Sequence, residues 1–140
     1  MEIDLEDAPA LWAATQVDIG RAHAELSIRV QAFEASEHLR IAINAYRSAL
    51  EIYTREQLSQ DWAMTQNNLG NALKGQGIRT GGARGTELLA EAVAAYRNAL
   101  EVYTREVFPF YYELMRRNLD KAEALKAQAR LDPKRDFGRS

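Results

Sequence analysis

Residues 45–56 read AYRSALEIYTRE and residues 95–106 read AYRNALEVYTRE, with ten of twelve positions identical at an offset of 50. The same offset relates WAATQVDIGRA at 12–22 to WAMTQNNLGNA at 62–72, where six of eleven positions match. A third, decayed copy begins at Tyr112 as YELMRRNLDKA and keeps Asn118, Leu119 and Ala122. A period of this length marks an array of supersecondary units, each too small to bury its own apolar face and so stacked on the next. The 140-residue chain holds two units and part of a third, about 12–61, 62–111 and 112–131, within one domain over 1–131.

Each unit carries two helical patterns. Ala92, Tyr96, Ala99, Leu100 and Tyr103 recur at threes and fours. Trp62, Leu69 and Leu73 share a face, with Ala63, Gln66 and Ala72 around them. Proline is confined to positions 9, 109 and 133, and no stretch sustains a two-residue alternation. The chain is therefore read as all-α, with five helices over about 9–32, 36–57, 59–74, 86–107 and 109–131. Ser36 is the expected N-cap of the second, and Ser59 precedes the acidic first turn of the third. Glu51 with Arg55, and Glu101 with Arg105, stand four apart and are expected to pair along their helices. KGQGIRTGGARGTE, residues 74–87, holds five of the eight glycines and reads as a flexible loop. AELSIRVQAFEASE, its counterpart at 24–37, has no glycine and extends the helices instead. Residues 132–140 read as a basic tail.

Leu69-Gly70 with Leu73, followed by Ala92, Tyr96 and Ala99, resembles the pattern of the tetratricopeptide repeat family, as do Ile19-Gly20, His23, Ala42, Tyr46 and Ala49. The family period is about 34 residues. Here ten surplus residues fall between Gly20 and Ala42 and between Gly70 and Ala92, and six more follow the last alanine. The long-period wording is similar to that of large bacterial multi-repeat proteins. The resemblance covers roughly 11–125. It implies a right-handed α-solenoid of antiparallel helix pairs, in which small Gly and Ala let the helices approach while the aromatic fills the gap beside them. Asp120 stands where the third copy would carry Gly, so the last helix reads as a terminal cap.

Chemistry is scarce in this composition. Cysteine is absent, and His23 and His38 are the two histidines. Thiolate chemistry and disulfides are excluded, and no cofactor, metal set or catalytic group is expected. His23 takes the place of Leu73 and reads as a packing residue; His38 has no acidic or hydroxyl partner at a recognisable spacing. Eighteen bases against twenty acids leave a net charge of −2, which argues against nucleic acid or a membrane surface as partner. The glycine-rich stretch with Lys74, Arg79 and Arg84 lacks the spacing of a phosphate loop. Without a signal segment or a membrane-spanning run, the cytoplasm is the default address.

Partners are therefore proteins. The resemblance implies a groove lined by the first helix of each unit. The matching positions are Asp18 and Arg21, then Met64, Asn67, Asn68, Asn71 and Lys74, then Arg117 and Lys121. A peptide segment of another protein is one occupant, held by amide pairing and charge. Self-association into a homo-oligomer, as a head-to-tail ring or filament, is the leading reading. Residues 1–11 hold four acids (Glu2, Asp4, Glu6, Asp7) and no base, whereas 115–140 hold eight bases, among them Lys126, Arg130, Lys134 and Arg135, and four acids. FPFYY at 108–112 cannot turn wholly inward, so Phe108, Phe110 and Tyr111 complete the expected contact surface.

Overall fold

The structure, a computed structural model, describes residues 8–131. Among these residues it is all-helical: α1 (Pro9–Ser27), α2 (Ala32–Ala49), α3 (Ser59–Thr80), α4 (Gly82–Leu100) and α5 (Pro109–Leu131). Packing follows chain order. α1 lies on α2, α2 on α3, α3 on α4 and α4 on α5, whereas α1 and α5 each touch α3 only slightly.

Small residues set how closely the paired helices approach. Ala13, Gly20 and Ser27 are buried on α1, and Ala63, Gly70 and Gly77 are buried at the same offsets on α3. Their partners are Ala35, Ala42 and Ala49 on α2, and Gly85, Ala92 and Ala99 on α4. A seven-residue spacing keeps each set on one stripe of its helix. Tyr46 and Tyr96 close the seams, each ring lying over the glycine of the facing helix. Around them Leu39, Ile43, Leu73, Leu88, Val93 and Leu119 form the main core.

The stretch 74–87 is not a loop. α3 runs to Thr80 and α4 starts at Gly82, so the connection is Gly81 alone, at φ 67°. Its glycines are used for contact. A Cβ on Gly85 would meet the Gly77 carbonyl oxygen at 2.7 Å, so the two helices cross backbone to backbone at the hairpin tip. The first hairpin puts Ser27 and Ala35 at these positions, and its glycine-free sequence leaves residues 28–31 between the helices, a longer connection than the single Gly81.

Other helix ends fall short of expectation. α1 stops at Ser27 rather than about 32. α2 starts at Ala32, so Ser36 is no N-cap; it lies inside the helix and donates to Gln76 Oε1 of α3 at 3.3 Å. Ser59 is the first residue of α3, after Leu58 in the left-handed region (φ 59°). α2 and α4 end at Ala49 and Leu100, some seven residues early, because the chain turns there to bury Tyr53 and Tyr103. Thr54 Oγ1 then accepts from the Gln57 backbone N–H, a local closure that competes with helix. The expected pairs Glu51–Arg55 and Glu101–Arg105 therefore lose their helical register. Arg55 bridges to Glu101 of the next unit at 3.0 Å, and Arg105 lies over the Tyr112 ring.

The two ends of the array differ. Ile19 on α1 is 39% exposed, whereas its equivalent Leu69 is 8% exposed under α2. On α5 the positions equivalent to Ala63, Gly70 and Gly77 are Glu113, Asp120 and Ala127, all exposed. Arg116 pairs with Asp120 at 3.3 Å across that face. A face that receives a helix in the second unit is charged and wet in the third.

Candidate functional site

The expected groove positions do not form one continuous polar strip. Asn67 is buried, and its Oδ1 accepts from Asn118 Nδ2 at 3.2 Å, tying α3 to α5. Asn71 accepts the Tyr96 hydroxyl through Oδ1 at 2.6 Å, although its residue stays exposed. Both amide oxygens accept bonds within the fold, and the one on Asn67 satisfies a group that burial would otherwise leave costly. Asp18, Arg21, Arg117 and Lys121 are exposed, and Met64, Asn68 and Lys74 are half-buried.

Charge gathers along this face. Burial holds the Lys74 ammonium below its ordinary value, and the nearby Lys121 of α5 pushes it the same way. Burial pushes the Tyr46 hydroxyl up to about 12, against the pull of Arg21. The Tyr96 hydroxyl is raised by burial too.

Between the C-terminal halves of α1 and α3 lies a cleft of about 350 Å³. It opens where α1 and α3 diverge, with α2 behind them. Ala24, Ile28, Leu39, Ala72 and Gly75 give it an apolar lining, and Glu25, Asn71 and Arg79 supply charge and polarity. Small side chains make the space: Gly75 and Ala72 leave Leu39 as the back wall, with Leu39 Cδ1 at 3.4 Å from where a Gly75 Cβ would stand. This size falls in the roughly 300–1,000 Å³ range of ligand pockets. Of the expected groove residues Asn71 lines it. Glu25, Ile28 and Arg79 are not among the expected groove positions; Arg79 falls in the stretch that reads as a loop, and Glu25 and Ile28 lie beyond the first-helix positions that match the family groove. Their signal was present: on helices continuing past 74, Arg79 falls one turn beyond Gly75 on the same face.

The surface expected to mediate self-association is divided. Phe108 packs against the cluster of Ala63, Ala99, Tyr103 and Met115. Phe110 is 73% exposed, and Tyr111 is partly exposed with its ring 5.1 Å from that of Tyr103. Lys126 and Arg130 flank the Arg97–Glu123 ion pair, itself 2.8 Å long. Glu2, Asp4, Glu6, Asp7, Lys134 and Arg135 lie outside the described residues.

The two histidines meet. His23 Nδ1 stands 2.8 Å from His38 Nδ1, across the α1–α2 hairpin. Fifteen residues separate them, and the pairing follows from the hairpin rather than from local spacing. Among the described residues no helix is long and apolar enough to cross a membrane, and no group of three or more His, Cys, Asp or Glu is placed to hold a metal ion.

No protein-family model matches the chain, and no curated protein or solved structure is significantly similar to it.

Proposed function

We propose that the chain is a non-catalytic, tetratricopeptide-like α-solenoid module that binds a peptide segment of another protein in the cleft between α1 and α3. The two small-residue seams at a 50-residue offset, each closed by a tyrosine over a glycine, support the solenoid reading. The cleft itself carries the functional one: a preformed apolar hollow with Glu25 and Arg79 among its lining residues. Its apolar lining takes an aliphatic or aromatic anchor, while Arg79 favours an acidic residue beside that anchor. Asn67 is buried and tied to Asn118, which leaves Asn71 without its expected partner for clamping a terminal carboxylate, so side-chain recognition is the better account.

Panning a displayed random-peptide library against the full chain tests this. Selected peptides carry an apolar anchor with flanking acids, and Gly75→Gln, which fills the hollow without breaking the helix, abolishes their binding. Peptides that bind the variant equally well overturn the cleft as the site.

A second reading, self-association, draws on Ile19 and Leu26 exposed on α1 and Phe110 exposed on α5. The charged face of α5 gives no dock for a further hairpin, so such contact would run through these apolar patches. Light scattering across protein and salt concentration tests it; a strict monomer throughout removes it.

A further inference from the structure

Leu73 and Leu88 face each other across the second hairpin and are buried in the main core. At an offset of 50 the first hairpin places His23 and His38 there. An apolar pair meets the packing requirement of that position, so two imidazoles are more than the fold needs. Their geometry is specific. The Nδ1 atoms are 2.8 Å apart and the ring centres 5.0 Å apart, so each nitrogen lies close to the line joining the rings and its lone pair is aimed at the other. One ring must hold its proton on Nδ1 for this contact to be a hydrogen bond, and the other must present a bare nitrogen.

We propose that His23 and His38 form a two-imidazole chelate for a late first-row divalent cation such as Zn²⁺ or Ni²⁺, joining α1 to α2. Imidazole nitrogen suits these ions. With Zn–N bonds of about 2.0–2.1 Å at a tetrahedral angle, the two nitrogens sit about 3.3 Å apart. The rings must part by about 0.5 Å and each turn by about 35° for both Nδ1 lone pairs to converge on the ion, a movement that side-chain rotation supplies. On binding, the donating ring moves its proton from Nδ1 to Nε2. Both Nδ1 lone pairs then face the ion, and the proton has moved within one ring. The hairpin holds the two ligands in place through the Gly20–Tyr46 contact, one turn from His23 and about two from His38. Both histidines are half-buried, so water reaches the ion and fills its remaining positions. Among the described residues no third His, Cys, Asp or Glu joins the pair, which sets the site apart from a closed structural zinc site.

Titration calorimetry and thermal melting of the full chain with Zn²⁺ and with Ni²⁺ at about pH 7.5 test this. One ion binds per chain, and a saturating ion raises the melting temperature by roughly 4 °C or more. His23→Leu and His38→Leu each weaken binding at least tenfold, and the double variant, which installs the leucine pair of the second hairpin, abolishes binding without lowering the metal-free melting temperature. In nitrogen-detected spectra of the wild-type chain, the ion shifts the Nδ1 resonances of both rings. Binding that survives either substitution, shifts confined to one ring, or no binding at millimolar ion overturns the chelate.

Discussion

A Cβ placed on Gly70 would stand 2.7 Å from Cε1 of Tyr96, closer than real side chains come. The ring cannot retreat easily, since Tyr96 is fully buried and its hydroxyl is held by Asn71 at 2.6 Å. Gly20 and Tyr46 repeat the arrangement in the first hairpin, with the nearest ring carbon at 2.5 Å. These two contacts are where the repeated sequence becomes repeated structure.

Gly70→Ala is accordingly expected to destabilise the chain. Overpacking of this kind costs about 1–3 kcal/mol, and the better helix propensity of Ala returns about 1 kcal/mol. The net loss, up to about 2 kcal/mol, is read from urea denaturation midpoints at unchanged slope. Gly20→Ala behaves alike, since Tyr46 is also buried.

Gly75 and Gly85 lie in the same glycine-rich stretch and are expected to respond in opposite directions. At Gly75 a Cβ meets Leu39 at an ordinary 3.4 Å, so Gly75→Ala gains helix propensity and stabilises by about 0.5–1 kcal/mol. At Gly85 the obstacle is the Gly77 backbone at 2.7 Å, which gives way only by parting α3 from α4. Gly85→Ala is expected to destabilise by about 1–3 kcal/mol. Thermal melts of the two variants side by side decide the matter. Two stabilised variants would mean that 74–87 is the flexible loop its composition suggests.

The buried tyrosines make stability fall in alkali. Tyr46 is raised from an ordinary 10.0 to about 12. A raised folded-state value means that the unfolded chain loses the proton first. The contribution is whole below pH 10 and is lost as pH climbs toward 12, on the order of 2 kcal/mol when complete. Tyr96 shifts in the same direction, also through burial. Urea midpoints should hold steady up to about pH 9 and drop above it, and Tyr46→Phe should shrink the drop.

Much of this architecture was legible in the sequence, and the misses share a cause. The helix pairs follow from periodicity, the Gly20–Tyr46 and Gly70–Tyr96 contacts agree with what the tetratricopeptide resemblance implies, and the partial exposure of FPFYY follows from the half of a consecutive run that one helix face can bury. Gly77 and Gly85 were misread because glycine breaks an isolated helix yet also permits two helices to touch, and a sequence does not distinguish these uses. Glu51 and Arg55 were paired on a helix that ends at Ala49, where burial of Tyr53 outweighs continued helix. The cleft needs three helices at once, and its Arg79 lay in the misread stretch. The His23–His38 contact had a signal after all: both positions hold Leu fifty residues later, and a pair replaced together is a pair that touches.

The proposal that the cleft binds a peptide is tested most directly by amide chemical-shift mapping of the full chain titrated with a peptide selected for binding. The expected result is a compact set of shifts at Ala24, Ile28, Leu39, Ala72, Gly75 and Arg79, saturating at one peptide per chain. Shifts centred on Phe110 and Tyr111, or spread over the charged face of α5 with the cleft silent, would contradict the account.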